Sequence, residues 1–552
     1  MAFPFRKRKR RPDNRRNTQN PFGTANPATF AEVHKAGLFR KTDTAIYCGE
    51  FWGRSLWYDG EGGVLLVAGA RSGKLRDIIS YTICKGVCDG RNIVILDPKG
   101  ELAAISRNQV LGNSRAKKVI TFNPYGLHGL PRHTFNPSGL LKWSSPTLIP
   151  DLKLFLENWI GKSGSPNAEY FELNARRWAE AFCLTLIKRD GVLQLPEFYR
   201  VISLISGGGK AWIDFAYQMH TSGIDLSHDV EEEIAAMRED RSGGFQGIIG
   251  ELQKSVACLS DPLLAKAVSG PFDFGLEELC DQDALTQLYL MVPPEFLELW
   301  GPVLRSIFTA CMIEKSRKPQ APRQLWLLDE CGQIGKSSLI PKMFTYGAGI
   351  GIQPFAVFQS FKQMDALGPG AAQLIQSSAA LQMYFATRDL DSAKMVSDIL
   401  GTQTLRVDDQ LTQSRARLKR DTLVSGIMGG ADPFQLATQL IQIRTETRHK
   451  RLYARKLETV DEVLRADHDR IFIICDGLPN VIIGNRRSYL RCPWMAGSYL
   501  ANPYHPPLDS VMVRTRWGQR RRTIITEAVP EEYADLPQYA HGLWSYVEGF
   551  KP

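Results

Sequence analysis

The chain has 552 residues, 43% hydrophobic and 23% charged, a balance that fits a globular protein of several domains and excludes disordered or collagen-like classes. Its formal net charge of +10 points to an acidic partner: nucleic acid, an anionic membrane face or an acidic protein. Ten scattered cysteines without a Cys-x-x-Cys pair argue against a disulfide framework or zinc site, and no stretch reaches ~18 uncharged apolar residues, so no membrane-spanning helix is expected.

Residues 1–30 form a basic, Pro/Asn-rich arm. Arg6, Lys7, Arg8, Lys9, Arg10 and Arg11 repel one another and bring little to bury, so the arm is expected to be disordered. Its charge suits DNA phosphates or an anionic membrane face, and equally a solvated tail. The alternation from Tyr47 to Tyr58, closed by Asp59-Gly60, reads as a small hairpin. It leads into a buried strand, Val64-Leu65-Leu66-Val67, which ends in Ala68-Gly69-Ala70-Arg71-Ser72-Gly73-Lys74, followed by a helix-compatible stretch from Leu75 to Val87. Strand, small-residue turn and helix are the layout of a P-loop. Small residues let consecutive backbone N–H groups converge on a phosphate, the helix N-terminus adds its positive end, and the lysine reaches the outer phosphates. Gly69, Ala70, Arg71, Ser72, Gly73, Lys74 and Leu75 are therefore the candidate nucleotide-binding residues. Two positions depart from the strict pattern: Ala68 stands in place of its first glycine, and Leu75 in place of the Ser or Thr that ligates Mg2+.

Strand and helix patterns then alternate. Ile93 to Leu96 reads as a buried strand ending at Asp97-Pro98-Lys99-Gly100-Glu101, and Lys117 to Phe122 as another. Open α/β sheets place ligands at strand C-ends, which makes Asp97 and Lys99 candidates for the same nucleotide site. From about residue 145 the apolar spacing becomes helical, as in Leu152, Phe155 and Trp159, and a mostly α-helical insertion is expected, its aromatic positions forming core. The α/β pattern returns with Gln287 to Val292. Gln324 to Leu328 is a continuous apolar run, the mark of a central parallel strand, and ends in Asp329-Glu330. Phe355 to Phe358 ends at Gln359, and Ala380 to Ala386 at Thr387-Arg388-Asp389. Arg406 to Arg420 reads as a polar, mobile loop. Ile471 to Cys475 and Val481 to Ile483 read as late strands, and a basic cluster with Arg514, Arg516, Arg520, Arg521 and Arg522 is a second candidate for nucleic-acid phosphates.

Asp329 and Glu330 supply the second half of a nucleotide site. An aspartate ending a strand beside a P-loop can hold Mg2+, and an adjacent glutamate can orient or deprotonate the attacking water. At this point the sequence resembles the TraG-type coupling ATPases of type IV secretion and bacterial conjugation, over roughly residues 60 to 405. The resemblance is carried by Ala68 to Lys74, by Leu96-Asp97-Pro98-Lys99-Gly100-Glu101, and by Phe122-Asn123-Pro124 with Phe135-Asn136-Pro137. Tyr289 to Glu295 followed by Gly301-Pro302-Val303-Leu304-Arg305, then Leu327-Leu328-Asp329-Glu330, Gly347 to Gln359, and Thr387 to Ala393 complete it in order. It implies an α/β fold: a RecA-like P-loop NTPase core, residues 31–144 and 270–500, with an inserted all-α domain, 145–269, between a basic arm, 1–30, and a C-terminal tail, 501–552. It implies ATP and Mg2+ as cofactors, with Lys74 on the phosphates, Asp329 on the metal, Glu330 on water, Gln359 sensing the γ-phosphate, and Arg388 as a candidate finger toward a neighbouring nucleotide. Taken by itself, Arg388 reads more readily as half of a surface ion pair with Asp389 or Asp391. The implied partners are single- or double-stranded DNA, relaxase or effector proteins and type IV secretion components, and the implied assembly is a homo-hexamer.

Two departures qualify these implications. Typical members carry N-terminal transmembrane helices and none is expected here, so this chain is expected to work in the bacterial cytoplasm, or to be held at the inner face of the membrane by a partner or by its arm. Leu75 removes a metal ligand, which motivates a second function class, a substrate-recruiting scaffold with impaired hydrolysis. A DNA-packaging or mobile-element translocase outside secretion is the third.

Overall fold

The computed structural model describes residues 21–85, 90–106, 117–161, 166–240, 243–282, 285–408, 414, 418–419, 421, 438, 450–495, 499–500, 502–505, 510–515, 518–535, 542–549 and 551. The basic arm Arg6–Arg11 and Arg516 lie outside them, as does most of 409–449. The strands, in chain order, are β1 (Ile46–Phe51), β2 (Arg54–Tyr58), β3 (Gly63–Val67), β4 (Asn92–Leu96), β5 (Lys117–Phe122), β6 (Leu285–Leu290), β7 (Gln324–Leu328), β8 (Ile352–Phe358), β9 (Ala379–Phe385), β10 (Thr402–Asp408), β11 (Lys450–Lys456), β12 (Arg470–Cys475), β13 (Ile482–Asn485), β14 (Ser510–Thr515), β15 (Gly518–Ala528) and β16 (Leu543–Val547). They fall in two compact units.

The larger unit comprises residues 30–385, 468–478 and 483–552. Its centre is an 11-stranded sheet in the order β2-β1-β13-β12-β9-β3-β8-β7-β4-β6-β5. From β9 to β5 every neighbouring pair is parallel. Every residue of β3, β4, β7 and β8 is buried, as expected for parallel strands covered on both faces. Their apolar runs alternate no sides because both sides are core. On the far flank the pairing turns antiparallel, β12 against β9 and β1 against both β13 and β2. The β1–β2 pair is a hairpin with a register shift between Tyr47 and Gly49.

Between β5 and β6 every described element from Leu148 to Ala267 is helical. The inserted helices pack around Pro166–Asp190, the longest, whose Trp178, Ala179, Phe182 and Leu186 are fully buried at helical spacing. The chain returns through β6 and the buried helix Gly301–Arg317 to β7. Residues 510–549 add a separate antiparallel sheet, β14-β15-β16, with Trp544 and Tyr546 packed on Leu500 and Ile525. The sequence reading assigned no strands there: the arginine run Arg520–Arg522 masks the alternation of β15.

The smaller unit, residues 1–29, 386–467 and 479–482, contains the hairpin-like pair β10–β11, in register from Thr402↔Lys456 to Asp408↔Lys450. Arg406 to Asp408 therefore belong to a strand, not to the loop expected from their polarity; they pair across to Leu452, Arg451 and Lys450. Two capped helices flank the pair in sequence: Leu390–Leu400, whose first turn is held by Asp389 accepting from the Ser392 N–H, and Val460–Arg465, entered through a Thr459–Glu462 capping box. No described helix of either unit is long and apolar enough to cross a membrane.

Candidate nucleotide site

Three adjacent parallel strands, β3, β8 and β7, end on the same side of the sheet, and each delivers one part of the site. After β3 the chain makes the turn 68–74. Arg71 sits in the left-handed region at φ +57°, unusual for a side-chain-bearing residue, and Gly73 follows at φ +86°. The positive φ strains any other residue at Gly73, and a Cβ there would stand 2.8 Å from both Asp77 Oδ2 and Arg76 Nη2. The following helix opens with a π turn, Leu75–Ile79, and becomes α-helical over Ser80–Lys85. Such single wide turns recur at functional sites because they re-aim the residues that bound them. Gly69, Lys74 and Leu75 are half-buried, Ala70 and Arg71 exposed, and Ser72 buried.

After β7, Asp329 is buried, and Glu330 adopts φ +56°, ψ +37°. Non-glycine residues held in the left-handed region cost roughly 1 kcal/mol or more, and cluster where surrounding structure enforces them for function. This strain brings the acids to the lysine. Lys74 Nζ lies 2.9 Å from Asp329 Oδ1 and 2.5 Å from Glu330 Oε1. The Asp329 contact is a charge contact off the hydrogen-bond direction, so Oδ1 stays without a hydrogen bond. After β8, Gln359 completes the cluster: its Nε2 donates to Glu330 Oε1 at 2.9 Å and Oε2 at 2.7 Å. Gln359 is itself held by its backbone N–H donating to Gln363 Oε1.

The electrostatics follow from burial and these neighbours. Burial disfavours the Lys74 cation, but the Asp329 and Glu330 charges more than offset it, and the net shift of its pKa is upward. Burial pushes the Asp329 carboxyl up, against the opposing pull of Lys74. Beyond β7, the end of β4 carries Asp97, fully buried, whose Oδ2 accepts the Ala103 N–H at 2.8 Å. Burial, with smaller contributions from the Asp329 and Glu101 charges, raises its pKa to about 8. Lys99 is exposed on the next loop, its carbonyl accepting from Tyr504 Oη at 3.1 Å and from His128 Nε2 at 2.7 Å.

The remaining candidates lie elsewhere. Arg388 is exposed in the smaller unit, at the turn before Leu390–Leu400. Arg520 and Arg521 are exposed on β15, Arg521 donating to Ser510 Oγ, and Arg522 lies 3.9 Å from Glu548. Arg514 lies on β14 opposite Gln519. The sequence reading missed Arg486, just past β13. Its guanidinium is buried against the phosphate-loop turn and donates to the Ser72 carbonyl and to Asp77 Oδ2. An arginine three strands away from the turn leaves no spacing signal in the sequence.

In sum, a lysine, two acids and an amide converge at the C-ends of three parallel strands, below a small-residue turn that opens a helix. This arrangement can bind the phosphates of a nucleotide and orient a nucleophile against them. Known proteins are similar to the chain in sequence and in fold. The chain is 24% identical over 418 residues to the conjugal transfer protein TraG of Escherichia coli, covering 71% of the chain and 64% of that relative. It is 25% identical over 490 residues to protein VirD4 of Rhizobium radiobacter, covering 80% of the chain and 67% of that relative. It thus spans about two thirds of the length of these relatives. The bacterial conjugative coupling protein TrwB superposes in its unbound form with a TM-score of 0.58 at 13% identity, over 84% of the chain and 93% of TrwB. TrwB solved with ADP and Mg2+ gives 0.57 over 84% and 94%. The core is therefore RecA-like. The family described as type IV secretory system conjugative DNA transfer matches residues 26–498, and the chain belongs to it.

Proposed function

We propose that this chain is a coupling-type motor ATPase that binds ATP with Mg2+ at the β3–β8–β7 strand ends and delivers DNA, or DNA–protein and effector substrates, to a type IV secretion machine. The observation that carries this reading is the placement of Lys74 between Asp329 and Glu330, with Gln359 on Glu330. TrwB, which has this fold, was solved with ADP and Mg2+ and with a non-hydrolysable ATP analogue. Lys74 takes the β- and γ-phosphates, leaving its acid partners free as the phosphates replace them. Glu330 then accepts a proton from water, and Gln359, already bonded to that carboxylate, reports the γ-phosphate. The donor set fits Mg2+: Asp329 Oδ1 is a buried carboxylate oxygen with no hydrogen bond, and Mg2+ commonly takes one protein carboxylate with phosphate and water oxygens. When bound, the ion offsets phosphate charge. Asp97 and Lys99 border the site from the adjacent strand end.

The wider reading follows the family. The helical segment 145–269 acts as an all-α domain inserted in the nucleotide-binding core, six copies form a ring, and the chain works at the cytoplasmic face of the bacterial inner membrane with a relaxase or effector cargo. The basic arm and Arg514–Arg522 contact DNA phosphates. Arg388 is the candidate finger toward a neighbouring subunit's nucleotide.

Leu75 favours one alternative, a nucleotide-binding scaffold that turns over poorly, because it brings no hydroxyl to the metal. ATPase assays with and without DNA, on wild type, Lys74→Ala and Glu330→Gln, separate the two. DNA-stimulated turnover lost in both variants supports the motor. Nucleotide binding without turnover in wild type supports the scaffold, and no nucleotide binding in wild type overturns both.

A further inference from the structure

The Arg486 side chain is only 1% exposed, and Asp77, its charge partner, only 4%. A guanidinium is costly to bury, by several kcal/mol unless it is paired and its donors are satisfied. Here Nη1 donates to the Ser72 carbonyl and to Asp77 Oδ2 at 2.7 Å, and Nη2 to the His468 carbonyl and to His468 Nδ1 at 3.0 Å, while Nε is buried without a hydrogen bond. The guanidinium carbon lies over the Phe385 ring, 4.0 Å from its centroid. Asp77 is also held by Arg76, Nε to Oδ1 at 2.6 Å, and its Oδ2 stands 2.8 Å from where a Cβ on Gly73 would lie.

The Ser72 contact has a geometric consequence. In a trans peptide the C=O of residue 72 and the N–H of residue 73 lie in one plane and point in opposite directions. Pinning the Ser72 carbonyl toward Arg486 therefore turns the Gly73 N–H away from Arg486, and backbone amides are what a phosphate-cradling turn presents. Arg486 comes from the end of β13, separated from β3 by β12 and β9, so the turn is gripped from the antiparallel flank of the sheet. With no hydroxyl at position 75, the cradle depends the more on its backbone amides.

We propose that Arg486 is a positioning residue for phosphate binding: by holding the Ser72 carbonyl and Asp77 together it fixes the peptide that presents the Gly73 N–H. This rests on the reading that the turn binds a nucleotide. Because the contact is to the backbone cradle and not to the γ-phosphate side, its loss weakens ADP and ATP alike.

The test is titration of the full chain with fluorescent ADP and with a non-hydrolysable ATP analogue, together with the melting temperature of the nucleotide-free protein. Arg486→Lys keeps a cation beside Asp77 but has no planar fork to span Ser72 and His468. Expected is a loss of about tenfold or more in affinity for both nucleotides, by the same factor, in Arg486→Lys and Arg486→Met, with a smaller loss in Asp77→Asn. Gln359→Ala, by contrast, affects the ATP analogue alone. Unchanged affinity in Arg486→Lys with a lowered melting temperature makes the residue purely structural and overturns the proposal. Should Arg486→Met not fold, the Lys and Asp77→Asn variants decide. Failure of wild type to bind either nucleotide would instead overturn the functional reading itself.

Discussion

Lys74 Nζ stands 2.5 Å from Glu330 Oε1, although their strands, β3 and β7, are not neighbours: β8 runs between them. Neighbouring strands are ~4.8 Å apart, so the lysine spans about two strand spacings to reach the acids. The amine is shared between the Asp329 and Glu330 carboxylates.

That sharing makes Glu330→Gln a two-sided change. Removing the carboxylate charge frees Lys74 for phosphate while removing the group that takes a proton from water. Tighter ATP retention, by roughly threefold to tenfold, is expected alongside a ~100-fold or greater loss of turnover, the usual scale for deleting a general base. Single-turnover hydrolysis and filter binding measure both; weaker ATP binding in this variant would show that the pair does not compete with phosphate.

Gly73→Ala is expected to abolish nucleotide binding while leaving the fold intact. At φ +86° an alanine costs about 1–2 kcal/mol, and its methyl would displace Asp77, which stands 2.8 Å from the added carbon. Circular dichroism with a nucleotide titration checks it. Binding retained within twofold would mean that the turn relaxes freely.

Asp97 gives a pH dependence. Its folded pKa, about 8, lies above the ordinary aspartate value of 3.8, so between about pH 4 and pH 8 the folded state holds a proton that the unfolded state has lost. Stability contributed at low pH therefore falls as pH rises through that window, by up to ~1.4 kcal/mol per pH unit, and levels off above it. Asp97→Asn, whose amide oxygen can still accept the Ala103 N–H, should flatten the slope and gain stability over wild type at pH 8. Urea denaturation at pH 6 and pH 8 measures the difference; parallel curves for the two proteins would place the titration elsewhere.

Arg305, on the buried helix Gly301–Arg317, donates to the carbonyls of Asn158, Trp159 and Ile334, at 2.6, 3.1 and 2.7 Å. It joins the C-terminal end of the first inserted helix to the loop that follows Glu330. Arg305→Ala orphans three buried carbonyls and should cost roughly 3 kcal/mol or more. Faster amide exchange is expected around 158–160 and 332–336 together. Faster exchange at one of them alone would argue against a shared tie.

On β15, Arg520 and Arg521 are exposed. If they meet DNA phosphates, replacing both with alanine should reduce the salt slope of log affinity by ~1–2, about 0.9 per lost contact on duplex DNA. Binding measured between 50 and 200 mM salt, the range over which such contacts act, reads this directly, and an unchanged slope would remove β15 from the nucleic-acid surface.

Much of the core was legible in the sequence because its signals are local. Continuous apolar runs at 64–67, 93–96, 325–328 and 355–358 mark doubly covered parallel strands, and the residues that end them, Lys74, Asp97, Asp329 and Gln359, are read from position alone. Which strand ends meet is not local. The order β3-β8-β7-β4 places Asp329 and Glu330 on Lys74 and leaves Asp97 one strand farther on, accepting a backbone N–H. Arg486, β10 and the C-terminal sheet escaped notice for the same reason: their order comes from partners distant in sequence, reached through hydrogen bonds and charge where apolar periodicity is weak. The chain's own pattern thus determined the strands, the turn and the chemistry carried at their ends; only tertiary packing, which fixes strand order and wraps a far arginine around the turn, decided which of those groups touch.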